Sequence, residues 1–151
     1  MEAKDGITVS KMTKSDVPFV AALEKECFSS PWSEKSLLES LENAGSVFLC
    51  AKAGEEIVGY IGASVVLDEA YVSDLAVSRI ARRRGVGSAL LLECENLCRG
   101  IDCSFLSLEV RKSNEAAIAL YLKAGFAAVG ERKNFYSSPR ENAVIMTKFF
   151  K

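Results

Sequence analysis

Between a β-branched apolar run, Tyr71 to Val77, and a helical-period run, Ala89 to Cys98, lies Arg82-Arg83-Arg84-Gly85-Val86-Gly87-Ser88. A strand, a glycine-bearing loop and a helix in that order form a cradle for phosphate. Two glycines let the backbone approach an anion closely, the first helical N–H groups have no acceptor within the helix, and three arginines add fixed positive charge. The segment therefore reads as strand, phosphate-binding loop and helix, and predicts an anionic cofactor. It is not a P-loop, which ends in Gly-Lys-Ser/Thr, nor a dinucleotide fingerprint, which needs a third Gly or Ala where this chain has Leu90. The same residues also suit a plain glycine turn edged by solvated arginines.

Length and composition narrow the setting. A chain of 151 residues is expected to be one domain, 1–151, with no room for a linker. A formal net charge of −1 argues against a protein that grips a nucleic-acid backbone, so the arginines read as local. No apolar run reaches the roughly 18 residues of a membrane span, so no membrane partner is expected. The start Met1-Glu2-Ala3-Lys4-Asp5-Gly6 has neither the basic nor the apolar region of a secretory signal, which points to the cytoplasm. Five cysteines, an odd number, then read as reduced thiols. Cys94 and Cys98 stand one helical turn apart, but with no histidine and no Cys-x-x-Cys pair they read as small buried hydrophobes, and no metal is expected. The missing histidine also removes Ser-His-Asp and Cys-His catalysis. Proton transfer falls to Asp, Glu, Tyr, Lys, Cys or water.

Along the chain, Ile7-Thr8-Val9 begins a strand, and Thr13 with Asp16 before Pro18 marks a helix start that runs to about Cys27. Pro31-Trp32-Ser33 breaks the chain; Ser33 caps a helix with Leu37, Leu38 and Leu41 on one face, ending near Gly45. Val47 to Lys52 and Ile57 to Val66 read as a hairpin, and Asp68-Glu69 leads into the strand before the arginine loop. Gly100 ends the helix after that loop. Phe105 to Val110 is the next strand; Ser113 or Asn114 caps a helix that stops at Gly125; and Phe126 to Val129 pairs with Val144 to Phe149 across a loop from Asn134 to Arg140. The expected fold is α/β (α+β): a mixed, mostly antiparallel sheet of about seven strands with four helices, in the order β-α-α-β-β-β-α-β-α-β-β.

The loop fits the pattern Arg/Gln-x-x-Gly-x-Gly/Ala, and in this it resembles the pyrophosphate loop of the GCN5-related N-acetyltransferases (GNAT), which bind acetyl-CoA. Pro31-Trp32-Ser33-Glu34-Lys35, Val66-Leu67-Asp68-Glu69-Ala70, Leu108-Glu109-Val110-Arg111, Ser113-Asn114, Ala116 to Tyr121, Ala124-Gly125-Phe126 and Arg140 to Met146 together resemble one subgroup, the bacterial ribosomal-protein-alanine N-acetyltransferases. Asn134 to Pro139 matches that subgroup less well, and this stretch would border the acceptor. The resemblance implies acetyl transfer from acetyl-CoA to the N-terminal amine, in that subgroup an alanine, of a small-subunit ribosomal protein or another peptide. An α-amine with a pKa near 7.7 to 8 is already neutral in roughly one molecule in ten at pH 7, against on the order of one in 2,500 for a lysine side chain, so a carboxylate suffices as base.

The resemblance also implies roles. Glu109, opposed to the Leu106, Leu108 and Val110 face of its strand, stands at the family's proton-acceptor position, where desolvation is expected to raise its pKa. A solvent-facing carboxylate or a partner for Arg111 is the alternative. Tyr121 stands at the proton-donor position, or is a packed tyrosine with its hydroxyl bonded elsewhere. The backbone of Leu75, Ala76 and Val77 would hold the pantetheine, one amide there serving as an oxyanion donor. Arg82, Arg83, Arg84, Gly85, Val86, Gly87 and Ser88 would hold the pyrophosphate, with Asn114 either binding CoA or capping its helix. Glu69 is an acceptor-binding residue or an exposed turn carboxylate; Trp32 lines the acceptor groove or covers the core. The competing readings are acetylation of a lysine side chain or small-molecule amine, a non-catalytic CoA- or protein-binding module, and an RNA- or ribosome-binding protein that uses Arg82 to Arg84.

Overall fold

The computed structural model describes residues 6–151; Met1–Asp5, most of the start read above for a signal, lie outside the described residues. In order come β1 (Ile7–Lys11), a 3-10 turn Lys14–Asp16, α1 (Val17–Cys27), α2 (Glu34–Leu41), β2 (Ser46–Ala53), β3 (Glu56–Val66), β4 (Glu69–Val77), a 3-10 turn Arg79–Ala81, α3 (Val86–Gly100), β5 (Phe105–Arg111), α4 (Glu115–Lys123), β6 (Ala127–Ser137) and β7 (Arg140–Phe149). The expected order of strands and helices is observed. Local chemistry sets the helix starts. The Thr13 N–H donates to Asp16 Oδ2 at 2.9 Å before α1, Ser33 Oγ accepts the Ser36 N–H at 3.1 Å before α2, and Asn114 Oδ1 accepts the Ala117 N–H at 3.1 Å before α4.

Gly100 is the last residue of α3, as expected, and the chain turns after Ile101, where Asp102 adopts φ 62°. Two boundaries differ from expectation. Helix α2 ends at Leu41 rather than near Gly45. The segment from Asn134 to Arg140 is not a loop, because β6 and β7 continue through it and leave only Ser138 and Pro139 between them. A break in register between Arg132 and Tyr136, with Asn134 at φ 53°, absorbs the irregularity that reads as loop in the sequence.

The sheet order is β1-β2-β3-β4-β5-β7-β6, and the β4–β5 pair is parallel. Alternation sends successive side chains to opposite faces. Leu49, Ile61, Leu106, Leu108 and Met146 pack on Leu90, Leu91 and Cys94 of α3 and on Tyr121 of α4, while Phe48, Cys50 and Tyr60 pack on Val17, Val20 and Leu37 of α1 and α2. Each fully buried aliphatic side chain in these layers contributes on the order of 2 kcal/mol of transfer free energy.

One departure from regular pairing makes room for a site. Strands β4 and β5 pair only at Glu69↔Phe105, Ala70↔Leu106 and Tyr71↔Ser107. Opposite β3, the register shifts so that Gly62 pairs with Asp74 and Ala63 with Val72, leaving Ser73 as the extra residue of a bulge; its Oγ donates to the Gly62 carbonyl at 3.0 Å. A bulge bends its strand, and this one lies where β4 leaves β5. Gly62 is required there. A Cβ would fall 2.8 Å from the Phe48 ring and 3.2 Å from Ser73 Oγ.

Candidate active site

The parting of β4 from β5 leaves Val72–Val77 without a strand partner on that side. This segment contains Leu75, Ala76 and Val77, so the backbone expected to hold a pantetheine does lie along an open edge. The chain then turns through Arg79–Ala81 and enters the arginine loop. Arg83 and Gly85 both have positive φ, 65° and 78°, and Gly85 is the left-handed residue at the start of α3. The N–H groups of Val86, Gly87 and Ser88 form the first turn of this 15-residue helix, where no acceptor exists four residues back. Backbone donors and the helix dipole therefore converge at one end of the opening.

The arginines are not equivalent. Arg82 turns inward: its Nε donates to the Val77 carbonyl at 3.2 Å and its Nη2 approaches Cys27 Sγ at 3.9 Å. It clasps the loop to the ends of β4 and α1. What the loop offers an anion comes from main chain more than from this guanidinium.

The other walls carry side chains. Glu109 lies on β5 two residues beyond the last pairing with β4, on the face opposite Leu108 and Val110. It is not the desolvated carboxylate expected: its side chain is 30% exposed and Oε1 lies 3.6 Å from Arg132 Nε on β6. Nor does it pair with Arg111. That guanidinium donates to the carbonyls of Pro139 at 2.8 Å and Ser138 at 3.3 Å and to Glu141 Oε1 at 3.2 Å, and it stacks 4.4 Å above the Tyr136 ring. Glu141 Oε2 in turn accepts the Ser113 N–H at 2.7 Å. Arg111 thus ties the β6–β7 turn to the end of β5, and Ser29 Oγ closes the far side by donating to the Ser138 carbonyl at 2.9 Å.

Tyr121 is 7% exposed and packs on Phe126, with ring centroids 5.9 Å apart. Among the described residues no protein group hydrogen-bonds its hydroxyl, and the packing on Phe126 suits either reading of this residue. Burial, then the charges of Tyr136 and Asp74, push its pKa upward. Burial, then Glu109, push Tyr136 to about 12, with Asp74 adding to the rise. Asp74 of β4 is thus felt by Tyr121 of α4 and Tyr136 of β6, and Glu109 of β5 by Tyr136, beside the parting of β4 and β5.

The remaining residues divide between roles. Asn114 spends its carboxamide oxygen on the α4 cap. Glu69 Oε1 accepts the Tyr71 hydroxyl at 2.7 Å. Trp32 packs against the α1–α2 core and also lines a cavity of about 240 Å³ with Phe48 and Ser73. Tyr136, Arg111, Glu24 and Asp74 were missed. Arg111 and Asp74 carry a signal in hindsight, one being two residues beyond Glu109 on the same face and the other a charge inside the apolar run Tyr71–Val77. Tyr136 lies in the stretch that resembles the subgroup least.

The sequence matches the acetyltransferase (GNAT) family over residues 17–126. The chain belongs to this family. It is therefore an N-acetyltransferase. Its relatives include the putative ribosomal protein bS18-alanine N-acetyltransferase of Bacillus subtilis, 35% identical over 144 residues with 95% of each chain covered. The crystal structure of the ribosomal-protein-S18-alanine N-acetyltransferase of Escherichia coli aligns with a TM-score of 0.88 at 32% identity, over 96% of this chain and 94% of that one. The fold alone is shared with PaiA N-acetyltransferase from Thermoplasma acidophilum in complex with coenzyme A, at a TM-score of 0.81, 21% identity, and coverage of 95% and 99%. No helix among the described residues is long and apolar enough to cross a membrane.

Proposed function

We propose that this GNAT enzyme transfers the acetyl group of acetyl-CoA to the α-amine of an N-terminal alanine, the acceptor being the ribosomal protein bS18 on which its relatives are named. The observation that carries this reading is the opening made where β4 leaves β5: open main chain and a helix N-terminus on one side, a carboxylate and two phenols on the other. The donor set fits the ligand. A diphosphate suits N–H groups at a left-handed glycine and a helix N-terminus, and an amide-bearing pantetheine suits an unpaired strand edge.

Acetyl-CoA supplies an activated acyl group; the chain supplies position and protons. Val86, Gly87 and Ser88 would hold the pyrophosphate, and Leu75 to Val77 the pantetheine, with a β4 amide donating to the carbonyl oxygen as negative charge grows on it. Glu109 takes the proton of the acceptor amine, directly or through water, and Arg132 keeps that carboxylate oriented toward β6. Tyr121 is the donor to the departing sulfur: burial keeps it a neutral phenol, which hydrogen-bonds to the sulfur as charge develops there, the thiolate taking its proton from this hydroxyl or from solvent through it. Tyr136 and Trp32 flank the acceptor.

The test is acetyl-CoA turnover with hexapeptides that begin Ala, Ser, Met and Gly, an internal-lysine peptide with a blocked N-terminus, and an acetylated control, each product sequenced by mass spectrometry. Acetylation on the α-amine with Ala preferred is expected. Acetyl on lysine alone would overturn the α-amine assignment.

A further inference from the structure

Glu24 lies on the buried face of α1 with Val17, Val20 and Ala21 and has no solvent exposure. Both its oxygens are engaged: Oε1 accepts the Trp32 N–H at 2.9 Å, and Oε2 accepts the Tyr60 hydroxyl at 2.5 Å. The same hydroxyl lies 3.3 Å from Oδ2 of Asp74, so one buried phenol stands between the Glu24 and Asp74 carboxyls. Among the described residues neither carboxyl pairs with a lysine or arginine.

Two carboxyls bridged by one buried phenol, withdrawn from water and without a cation, repel each other when both are charged, and one proton held between them relieves that repulsion. Tyr60 cannot lend its own, because burial and then the two carboxyls push its phenol upward. Burial, then the hydrogen bond and charge of Glu24, likewise raise Asp74. The groups facing this pair are accounted for element by element. Helix α1 supplies Glu24 and, at its end, Cys27, which feels Glu24 and is bonded to Arg82; β3 supplies Tyr60; α4 and β6 supply Tyr121 and Tyr136, both raised by Asp74. None of them brings a cation onto the two carboxyls.

The pair also spans the site. Asp74 precedes Leu75 on the open edge of β4, while Glu24 holds the backbone of Trp32 on the acceptor side. We infer that Glu24 and Asp74 are a one-proton positioning pair that joins the Trp32 lip to the acyl-bearing segment of β4, so that the acceptor side keeps its shape only while that proton is retained. This rests on reading the β4–β5 opening as the transferase site. Loss of the proton leaves two negative charges bridged by one phenol, with the Trp32 N–H as the part of the cluster free to give way.

The experiment compares the full chain with Asp74→Asn, Glu24→Gln and Tyr60→Phe. The first arm is Tm against pH from 5.5 to 9.5 without substrates. A carboxyl whose folded pKa is raised contributes fully below its unfolded value, about 4, and loses that contribution as pH rises through the folded value. Wild-type Tm should therefore fall relative to Asp74→Asn as pH rises; a pH-independent difference would overturn the shared proton. The second arm is KM for the Ala-peptide, KM for acetyl-CoA and kcat across the same range. Past loss of the proton, wild-type peptide KM should climb about tenfold per pH unit while the acetyl-CoA KM stays level, and in Asp74→Asn the climb should vanish. Tyr60→Phe removes a donor that favours the charged form, so it should move the climb to higher pH. Glu24→Gln keeps the Trp32 contact but removes one of the two acids, and should abolish the climb as Asp74→Asn does. A climb unchanged in Asp74→Asn would show the pair to be structural only. If wild type acetylates no peptide, the parent reading fails and the Tm arm still decides the proton.

Discussion

The two walls of the proposed site, one assigned above to the acetyl donor and one to the acceptor, are built by different means. The donor wall is main chain: the bent edge of β4, a left-handed Gly85 and the first turn of α3, contributed by residues 72 to 88 in one continuous run. The acceptor wall is side chains brought together from afar: Arg111 on residues 138, 139 and 141, Ser29 on residue 138, Glu109 on Arg132, and Glu24 and Asp74 on Tyr60. A wall of amides should bind its ligand through almost any side chain that leaves the loop geometry intact. A wall of side chains should change its preference when one contact changes.

The strongest way to break this contrast is at the chemistry on the acceptor wall. Glu109→Gln keeps the size of the side chain and removes the carboxylate proposed as base; kcat should fall roughly 10²- to 10⁴-fold while the acetyl-CoA Kd, measured by calorimetry, stays within a factor of about two. A near-normal kcat would move proton acceptance to another group. On the donor wall, Gly85→Val forces a β-branched residue to φ 78°. Strain of roughly 1–3 kcal/mol, with lost N–H contacts to a charged phosphate at about 1.5–3 kcal/mol each, predicts at least a tenfold weaker acetyl-CoA Kd. By contrast Val86→Leu keeps both the backbone and the burial and should alter that Kd little. Tyr121→Phe keeps the packing on Phe126 and removes the hydroxyl, and a fall in kcat of about ten- to a hundredfold with both KM values nearly unchanged is expected. Unchanged turnover would assign sulfur protonation to solvent.

The same contrast explains what the sequence discloses. A continuous main-chain feature leaves its signature in adjacent positions, so Gly85 and Gly87 between an apolar run and a helical run suffice to mark the loop that enters α3. The strand and helix order is legible for the same reason, since period-2 and period-3.6 patterns are local. The parting of β4 from β5 is not legible, because it depends on which residue of β3 faces Ser73, and Gly62 lies eleven positions away. Glu109 was legible as the polar residue of an alternating strand, yet its partner was not: Arg111 is nearer in sequence, but the pairing of β6 with β7 brings Arg132 instead. The stretch from Asn134 to Arg140 reads as loop because Asn, Ser and Pro favour turns, whereas long-range pairing with β7 holds most of it as strand.

Arg111 gives the smallest expected effect and the sharpest test of the acceptor wall. Arg111→Lys keeps the charge near Glu141 but loses the planar fork that reaches two carbonyls and stacks on Tyr136. The peptide KM should rise several-fold, with kcat at saturating peptide and the acetyl-CoA KM nearly unmoved. Acid should have the same effect as the substitution. Glu141 is held below the usual carboxylate range by its hydrogen bond from Ser113 and then by Arg111. A depressed carboxyl contributes stability above its unfolded value, about 4.3, and loses it as pH falls through the folded one. Tm of the wild type should thus drop more steeply than that of Glu141→Gln below about pH 4, the two curves converging in strong acid. Parallel curves would mean that the Arg111–Glu141 contact does not hold the turn, which would then rest on Ser29 and on the bonds of Arg111 to the Ser138 and Pro139 carbonyls.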